Sequence, residues 1–188
     1  MGVVLEPRDV TLRDGRTVHL RAVLPSDEEE VLQAFDRMDA DARYMRFMTA
    51  KRSANVRRLR EVLASFPEKG FMIAATVPAP DGIDIVGSAS CLVAGDPDEC
   101  EFAITVLGPW GGAGLGRVLM EALIGAARAR GLGKMHGYIL AANQPMLRLA
   151  ARVGFQAKRD PDDPLARMVS LDLRSDYTSP PTSPEKKS

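Results

Sequence analysis

From Gly108 to Arg130 the chain reads GPWGGAGLGRVLMEALIGAARAR, with five glycines in its first nine residues and an unbroken helical pattern after them. Leu115, Val118, Leu119, Ala122 and Ala126 recur at the i, i+3, i+4, i+7 spacing of an apolar helical stripe. Directly before, Cys100 to Val106 (CEFAITV) alternates and ends β-branched, which predicts a strand. The unit is therefore strand, glycine turn, helix. Backbone N–H groups at the start of such a helix have no intrahelical partner and point outward. An anion seated there gains those hydrogen bonds and the positive end of the helix dipole, the latter worth roughly 0.3–2 kcal/mol. Glycine lets the backbone approach the anion closely, because no side chain stands between amide and phosphate.

The pattern excludes the two commonest phosphate loops. A P-loop needs Lys-Ser/Thr after its last glycine, whereas Gly116 is followed by Arg117 and Val118. A dinucleotide fingerprint beginning at Gly114 and Gly116 would need a third glycine where Leu119 stands. Taken alone, the run is either an anion cradle or a glycine-rich connection with no ligand.

The residues that follow add to this. Over Leu107 to Phe155, the glycine loop with Gly114 and Gly116, a later strand, Asn143 and a closing Gly154-Phe155 stand in the order and approximate spacing of the GNAT (GCN5-related N-acetyltransferase) superfamily, which the chain resembles from about Val10 to Leu173. The resemblance implies an α/β fold: a twisted, mostly antiparallel mixed sheet flanked by helices, with the strand Cys100–Val106 and the strand Lys134–Leu140 parallel and splayed apart. The pantetheine arm of acetyl-CoA, the implied cosubstrate, would enter that gap like an extra strand. The implied cofactor contacts are Ile104, Val106 and Leu107, the loop residues Gly111, Gly112, Ala113, Gly114, Leu115, Gly116 and Arg117, and Asn143. One departure stands out. The family's loop opens on Gln or Arg, and here that position is Gly111.

Length suits one domain, expected over residues 1–174, with a Pro/Ser/Thr-rich tail (175–188) expected to be disordered. Zero formal charge gives no nucleic-acid footprint. No apolar run reaches membrane-spanning length and the first residues lack a signal-peptide core, so a cytoplasmic location is expected, with no membrane or nucleic-acid partner. A homodimer is left open. Cys91 and Cys100 are too few for a disulfide framework or the usual zinc ligand set, so no metal is expected; they read as reduced neighbours across a hairpin.

Along the chain, Val10 to Val23 predicts a hairpin turning at Asp14-Gly15. A helix follows, with Ser26 and Glu29 at capping-box spacing and Val31, Leu32 and Phe35 as its apolar face. Next come a short helix with Tyr44, Phe47 and Met48 on one side, and a longer one with Val56, Leu59, Val62 and Leu63 as its stripe. Lys51, Arg52, Arg57, Arg58 and Arg60 make this region basic, either as a solvated face or as a landing surface for an acidic protein region or the cofactor's phosphates. The hairpin, the helix and the Tyr44–Phe47 segment look like bacterial protein lysine acetyltransferase domains. The strands Phe71–Val77, one over IDIVGSASCLVAG, Lys134–Leu140 and a closing MVSLDL complete the sheet, with a helix from Asn143 to Val153.

Acyl transfer from a thioester to an amine needs the cofactor held, the amine deprotonated and the oxyanion stabilised. An ammonium with pKa about 10.4 needs a base or water relay near neutrality. Glu101 is the candidate base. Alternation puts it with Ala103 and Thr105 on one face of its strand, opposite Phe102, Ile104 and Val106, and a carboxylate on that small-residue face is expected to be poorly solvated. Residue type alone reads it as an idle, solvent-facing glutamate after a turn; the matching position in the lysine acetyltransferases carries their base. Asn143 could cap the next helix, contact the pantetheine, or both. The family's usual proton donor, a Tyr, would stand at Ala150, so a thiolate leaving unaided is expected. His136 and Tyr138 share a strand face and read as core-lining, His19 as a surface residue, and Trp110 as a hydrophobic anchor for the loop, with stacking on adenine as the alternative. Ser88 and Ser90 lack the context of a serine nucleophile.

The resulting expectation is an acetyl-CoA-dependent N-acetyltransferase acting on a primary amine, that of a protein lysine. Its alternatives are a small-amine (polyamine or antibiotic) acetyltransferase and an acyl-CoA sensor without turnover.

Overall fold

The computed structural model describes residues 5–47 and 55–175. Its elements run β1 (Arg8–Thr11), β2 (Thr17–Ala22), α1 (Glu28–Asp36), α2 (Ala40–Phe47), α3 (Val56–Ala64), β3 (Gly70–Ala79), β4 (Gly82–Leu92), β5 (Glu99–Val106), α4 (Leu115–Ala129), β6 (Lys134–Leu140), α5 (Gln144–Arg152), β7 (Gln156–Arg159) and β8 (Ala166–Asp172). The strands form one sheet in the order β1-β2-β3-β4-β5-β6-β8-β7. Every neighbouring pair is antiparallel except β5 and β6. The expected mixed α/β architecture with one parallel pair is thus the one observed. Among the described residues no helix is long and apolar enough to cross a membrane.

Strand alternation divides the core between two faces. Ile73 and Ala75 of β3 join the larger cluster, into which α4 buries Leu119, Met120, Leu123 and Ala127 completely. Ala74 points the other way, into a smaller cluster with Val23, Leu63 and Ile85, against which Val31 and Leu59 of α1 and α3 pack. Each large side chain so buried contributes roughly 1.5–3 kcal/mol. The stripe of α3 fades at its start, where Val56 is exposed. Tyr44 is likewise exposed rather than packed. Met48, Lys51 and Arg52 lie outside the described residues, as does the tail from 176 onward.

Two expectations change. The capping box assigned to Ser26 and Glu29 is replaced by Asp27, whose Oδ2 accepts from the N–H of Leu24 at 2.8 Å across a single 3-10 turn, Pro25–Asp27. Asp27 is there because β2 presents Arg21, which donates to both its oxygens at 2.6 and 2.9 Å. The segment MVSLDL, expected to close the sheet, is an inner strand, β8; the edge is β7, whose four residues QAKR are all exposed and carry no apolar pattern.

The Arg21–Asp27 pair has a pH signature. Burial pushes the Asp27 carboxyl up, but the Arg21 guanidinium and the Leu24 N–H outweigh it, and the net shift is below the ordinary value. A carboxylate with a depressed folded pKa contributes stability that is complete above its unfolded value of about 3.9 and is lost as pH falls through the lower folded value. Asp27→Asn should therefore cost about 3 kcal/mol at pH 7, the penalty for leaving Arg21 half-buried and unpaired. Urea denaturation at pH 7 and pH 3 should show that penalty shrinking in acid.

Cys91 and Cys100 are free, fully buried and neighbours, as expected. The hydrogen bond between their thiols, and then burial, push the Cys91 thiol far above its ordinary value, so Cys91 stays protonated.

Candidate active site

The parallel ladder between β5 and β6 has three residue pairs, Glu99–Lys134, Cys100–Met135 and Glu101–His136, and stops there. Beyond it the strands part. The N–H of Leu107 donates to the Val86 carbonyl of β4 at 3.0 Å. Because successive residues of a strand alternate in the direction of their hydrogen bonds, Ile104 and Val106 turn their main-chain groups to the opposite edge, into the gap. The carbonyl of Leu107 accepts from Trp110 at 2.8 Å and its side chain is buried. Phe102 secures the far face at the parting point. Its ring lies over Gly137, where a Cβ would come within 2.6 Å of Cε1, and 5.0 Å from the Phe155 ring.

After β5 the chain makes one 3-10 turn, Gly108–Trp110, then two left-handed glycines, Gly112 (φ 76) and Gly114 (φ 94), and enters α4 with Gly114 as N-cap. The first amide of α4 to find a carbonyl one turn back is Val118, bonded to Gly114 at 3.1 Å. Leu115, Gly116 and Arg117 precede it, so their N–H groups face out of the helix end. No acidic residue stands in this first turn. Gly116 also sits at a close crossing, since a Cβ there would meet Leu149 of α5 at 3.1 Å. The loop thus runs from strand through left-handed glycines into a helix whose first amides are aimed outward.

What the sequence did not disclose is how the loop is held. The β1–β2 turn lies against it. Arg13 donates its backbone N–H to Ala113 at 3.1 Å and its Nη2 to Gly112 at 3.4 Å; Arg16 donates to the Pro109 carbonyl at 3.0 Å and covers the Trp110 ring at 4.1 Å. Trp110, half-buried, is the expected anchor. Gly111 has a reason of its own to be glycine, since a Cβ would crowd the Gly108 carbonyl at 3.2 Å.

The gap opens as a cleft of about 580 Å³ lined by Glu101, Ile104, Val106, Gly111, Gly112, Gly116, Asn143 and, from α2 and β6, Met45 and Tyr138. Ala113, Gly114, Leu115 and Arg117 flank the loop without lining the cleft, and Leu115 is in the core. Asn143 caps α5, its Oδ1 accepting from Met146 at 3.2 Å, while also forming part of the cleft wall. A second chamber, about 380 Å³, lies between α1, α3 and the sheet. Glu101, Phe102, Ala103 and Thr105 line both spaces. The Glu101 carboxylate, on the last pair of the ladder, is exposed, not poorly solvated as expected. Among the described residues it makes no side-chain hydrogen bond and no ion pair.

Tyr138 is not core-lining. It is 45% exposed and faces the cleft, since β6 has no strand on that side beyond His136. His136 is half-buried, its Nδ1 3.8 Å from Glu99, whose other oxygen holds Lys134 at 2.9 Å. Ala150 is buried and offers no proton. His19 is a surface residue, paired with Asp9 at 2.7 Å.

Comparison with known proteins gives a consistent result. Residues 17–156 match the acetyltransferase (GNAT) domain family. An acetyltransferase of Pseudomonas aeruginosa is 31% identical over 153 residues, 81% of this chain and 82% of the relative. Acetyltransferase Pat of Mycolicibacterium smegmatis is 26% identical over 82% of this chain, which spans only 46% of that protein. Among solved structures, the GNAT domain of S. lividans PAT superposes with a TM-score of 0.79 at 22% identity, covering 88% of this chain and 96% of that one. The structure of yncA from Salmonella typhimurium with its cofactor acetyl-CoA gives 0.67 at 18% identity, over 88% and 99%. These two share the fold.

Proposed function

The chain belongs to the GNAT acetyltransferase family, and from that premise we propose that it transfers an acetyl group from acetyl-CoA to a primary amine, that of a protein lysine. The observation that carries the reading is the position of Glu101, among the described residues the one ionisable side chain that lines both the cleft and the second chamber. Acetyl-CoA supplies the activated thioester. The chain's own residues fit it: Ile104 and Val106 offer main-chain partners along the gap, and the amides of Leu115, Gly116 and Arg117 are aimed out of the helix end, held there by the left-handed backbone of Gly112 and Gly114. Glu101 takes the proton from the incoming ammonium, directly or through water, which its exposure allows. The chamber's walls, with Leu32, Phe35, Leu59, Met72 and Leu92, suit the four methylenes of a lysine.

The likeness of the helices before α3 to bacterial protein lysine acetyltransferases supports a protein acceptor. So does Arg58, which lines the mouth of the chamber. Its neighbours are engaged, Arg57 by Glu61 at 3.0 Å and Arg60 by Glu28 at 2.8 Å. Arg58→Glu should raise KM for the protein acceptor severalfold while acetyl-CoA affinity, measured by calorimetry, stays unchanged; an unaltered KM removes Arg58 from acceptor binding.

The test of the reading as a whole is free-thiol release from acetyl-CoA with a lysate and with a panel of small amines, followed by mass spectrometry for acetyl-lysine. Acetylated protein is the expected result. Turnover of a free small amine with no protein modified would make the chamber a small-amine site, and binding of acetyl-CoA without thiol release would make the protein a sensor.

A further inference from the structure

We infer that Arg13, carried in by the β1–β2 turn, is a phosphate-binding residue of the cofactor site and supplies the cation that Gly111 cannot. This rests on the acetyl-CoA reading above. The start of α4 is a focus of positive charge: its dipole points outward, its first turn has no acid, and Arg117 sits within it. Proteins ordinarily place carboxylates at such a helix end. Here the nearest side-chain charge is another cation. The Arg13 guanidinium lies 3.2–3.7 Å from the point where a Gly114 Cβ would stand, and Gly114 is the N-cap itself.

Two of the neighbouring charges are paired. Asp14, next in sequence, is taken by Arg16 at 2.6 Å, and Arg117 is held by Glu121 at 2.7 Å. Arg13 has no carboxylate partner among the described residues; its recorded bonds go to carbonyls of the loop. An exposed guanidinium beside a helix N-terminus, without a carboxylate partner among the described residues, is free to meet an arriving anion, and its planar fork matches phosphate oxygens. The backbone bond from Arg13 to Ala113 sets the turn, so the side chain is delivered to the loop regardless of which residue stands at 111. Because Gly111 lies under the Gly108 carbonyl, a long side chain could not be carried from that position without moving the turn.

Acetyl-CoA carries phosphate in two places, the pyrophosphate and the ribose 3′-phosphate, and calorimetry with CoA and 3′-dephospho-CoA separates them. Wild-type protein should bind CoA; failure to do so would sink the acetyl-CoA reading itself. Given wild-type binding, Arg13→Gln should weaken CoA about tenfold, as expected for one charge-assisted hydrogen bond. If the pyrophosphate is the partner, both nucleotides weaken equally. If it is the 3′-phosphate, the wild-type preference for CoA over dephospho-CoA disappears in the variant. In either case Arg13→Lys should recover part of the loss, and the loss should shrink at high salt. Since Arg13 is exposed, the variants should unfold at the wild-type temperature. Wild-type affinity of Arg13→Gln for both nucleotides at low salt overturns the inference, and so does a loss indifferent to salt, which would make Arg13 only a brace for the loop.

Discussion

Glu101→Gln lowers turnover by about 10²–10⁴-fold near neutral pH, the usual contribution of a positioned general base, with acetyl-CoA affinity and thermal stability close to wild type. The expectation of intact stability is specific to this site. Glu101 is exposed and, among the described residues, partnered by no side chain, so the amide replaces a carboxylate that held nothing together. A glutamate kept in a cleft without a structural bond is available to a proton. The defect should also respond to pH. With an amine pKa of about 10.4, moving from pH 7 to pH 9 raises the neutral fraction of the acceptor about a hundredfold, and the variant needs that neutral fraction most. Steady-state rates from pH 6 to 9, with folded protein quantified at each point, settle the matter: a folded Gln variant running at the wild-type rate throughout would falsify the role of Glu101 as the base.

Gly114→Val weakens acetyl-CoA binding by at least an order of magnitude. The cause is not simply a side chain in the phosphate's place. A Cβ at Gly114 points at the Arg13 guanidinium, whose nearest atom is 3.2 Å away and sits at the end of a flexible chain that can retreat. The larger cost is in the backbone. At φ 94 an L-residue is strained by roughly 1–2 kcal/mol, and a β-branched residue by more, so the N-cap must rotate and re-aim the amides of Leu115 and Gly116. Calorimetry checks this: unchanged affinity would mean the loop is not the cradle. Gly114→Val and Arg13→Gln should also combine less than additively, because the first displaces the side chain that the second removes.

The glycine loop, the strand before it and the helix after it were readable because each has a local cause: outward amides, alternation, an apolar stripe. Asn143 was readable as a cap for the same reason; Glu101 was not, since alternation gave only its face and the family resemblance made it the candidate. The arginines that brace the loop were not readable. Arg13 and Gly112 are separated by 99 residues, and a turn sequence such as Arg-Asp-Gly-Arg carries no mark of what it will touch. β7 was missed because QAKR has neither apolar residues nor periodicity and exists only by pairing with β8. Tyr138 was placed in the core because its strand reads as an ordinary inner one; only the end of the ladder at His136 turns its far half into a wall of the cleft. The solvation of Glu101 was misjudged because alternation names the face a side chain takes, not what covers that face.

That short ladder has a mechanical meaning. Strands β1 to β5 and strands β6, β8 and β7 form two leaves, and their hydrogen-bonded seam is three residue pairs long. A ligand that bonds to Ile104 and Val106 extends the seam with its own atoms. Amides along the open edge of β5 should then exchange with solvent more slowly when the gap is filled, and the two leaves should melt together at a higher temperature. A substrate bound in that way would also be a structural part of the fold.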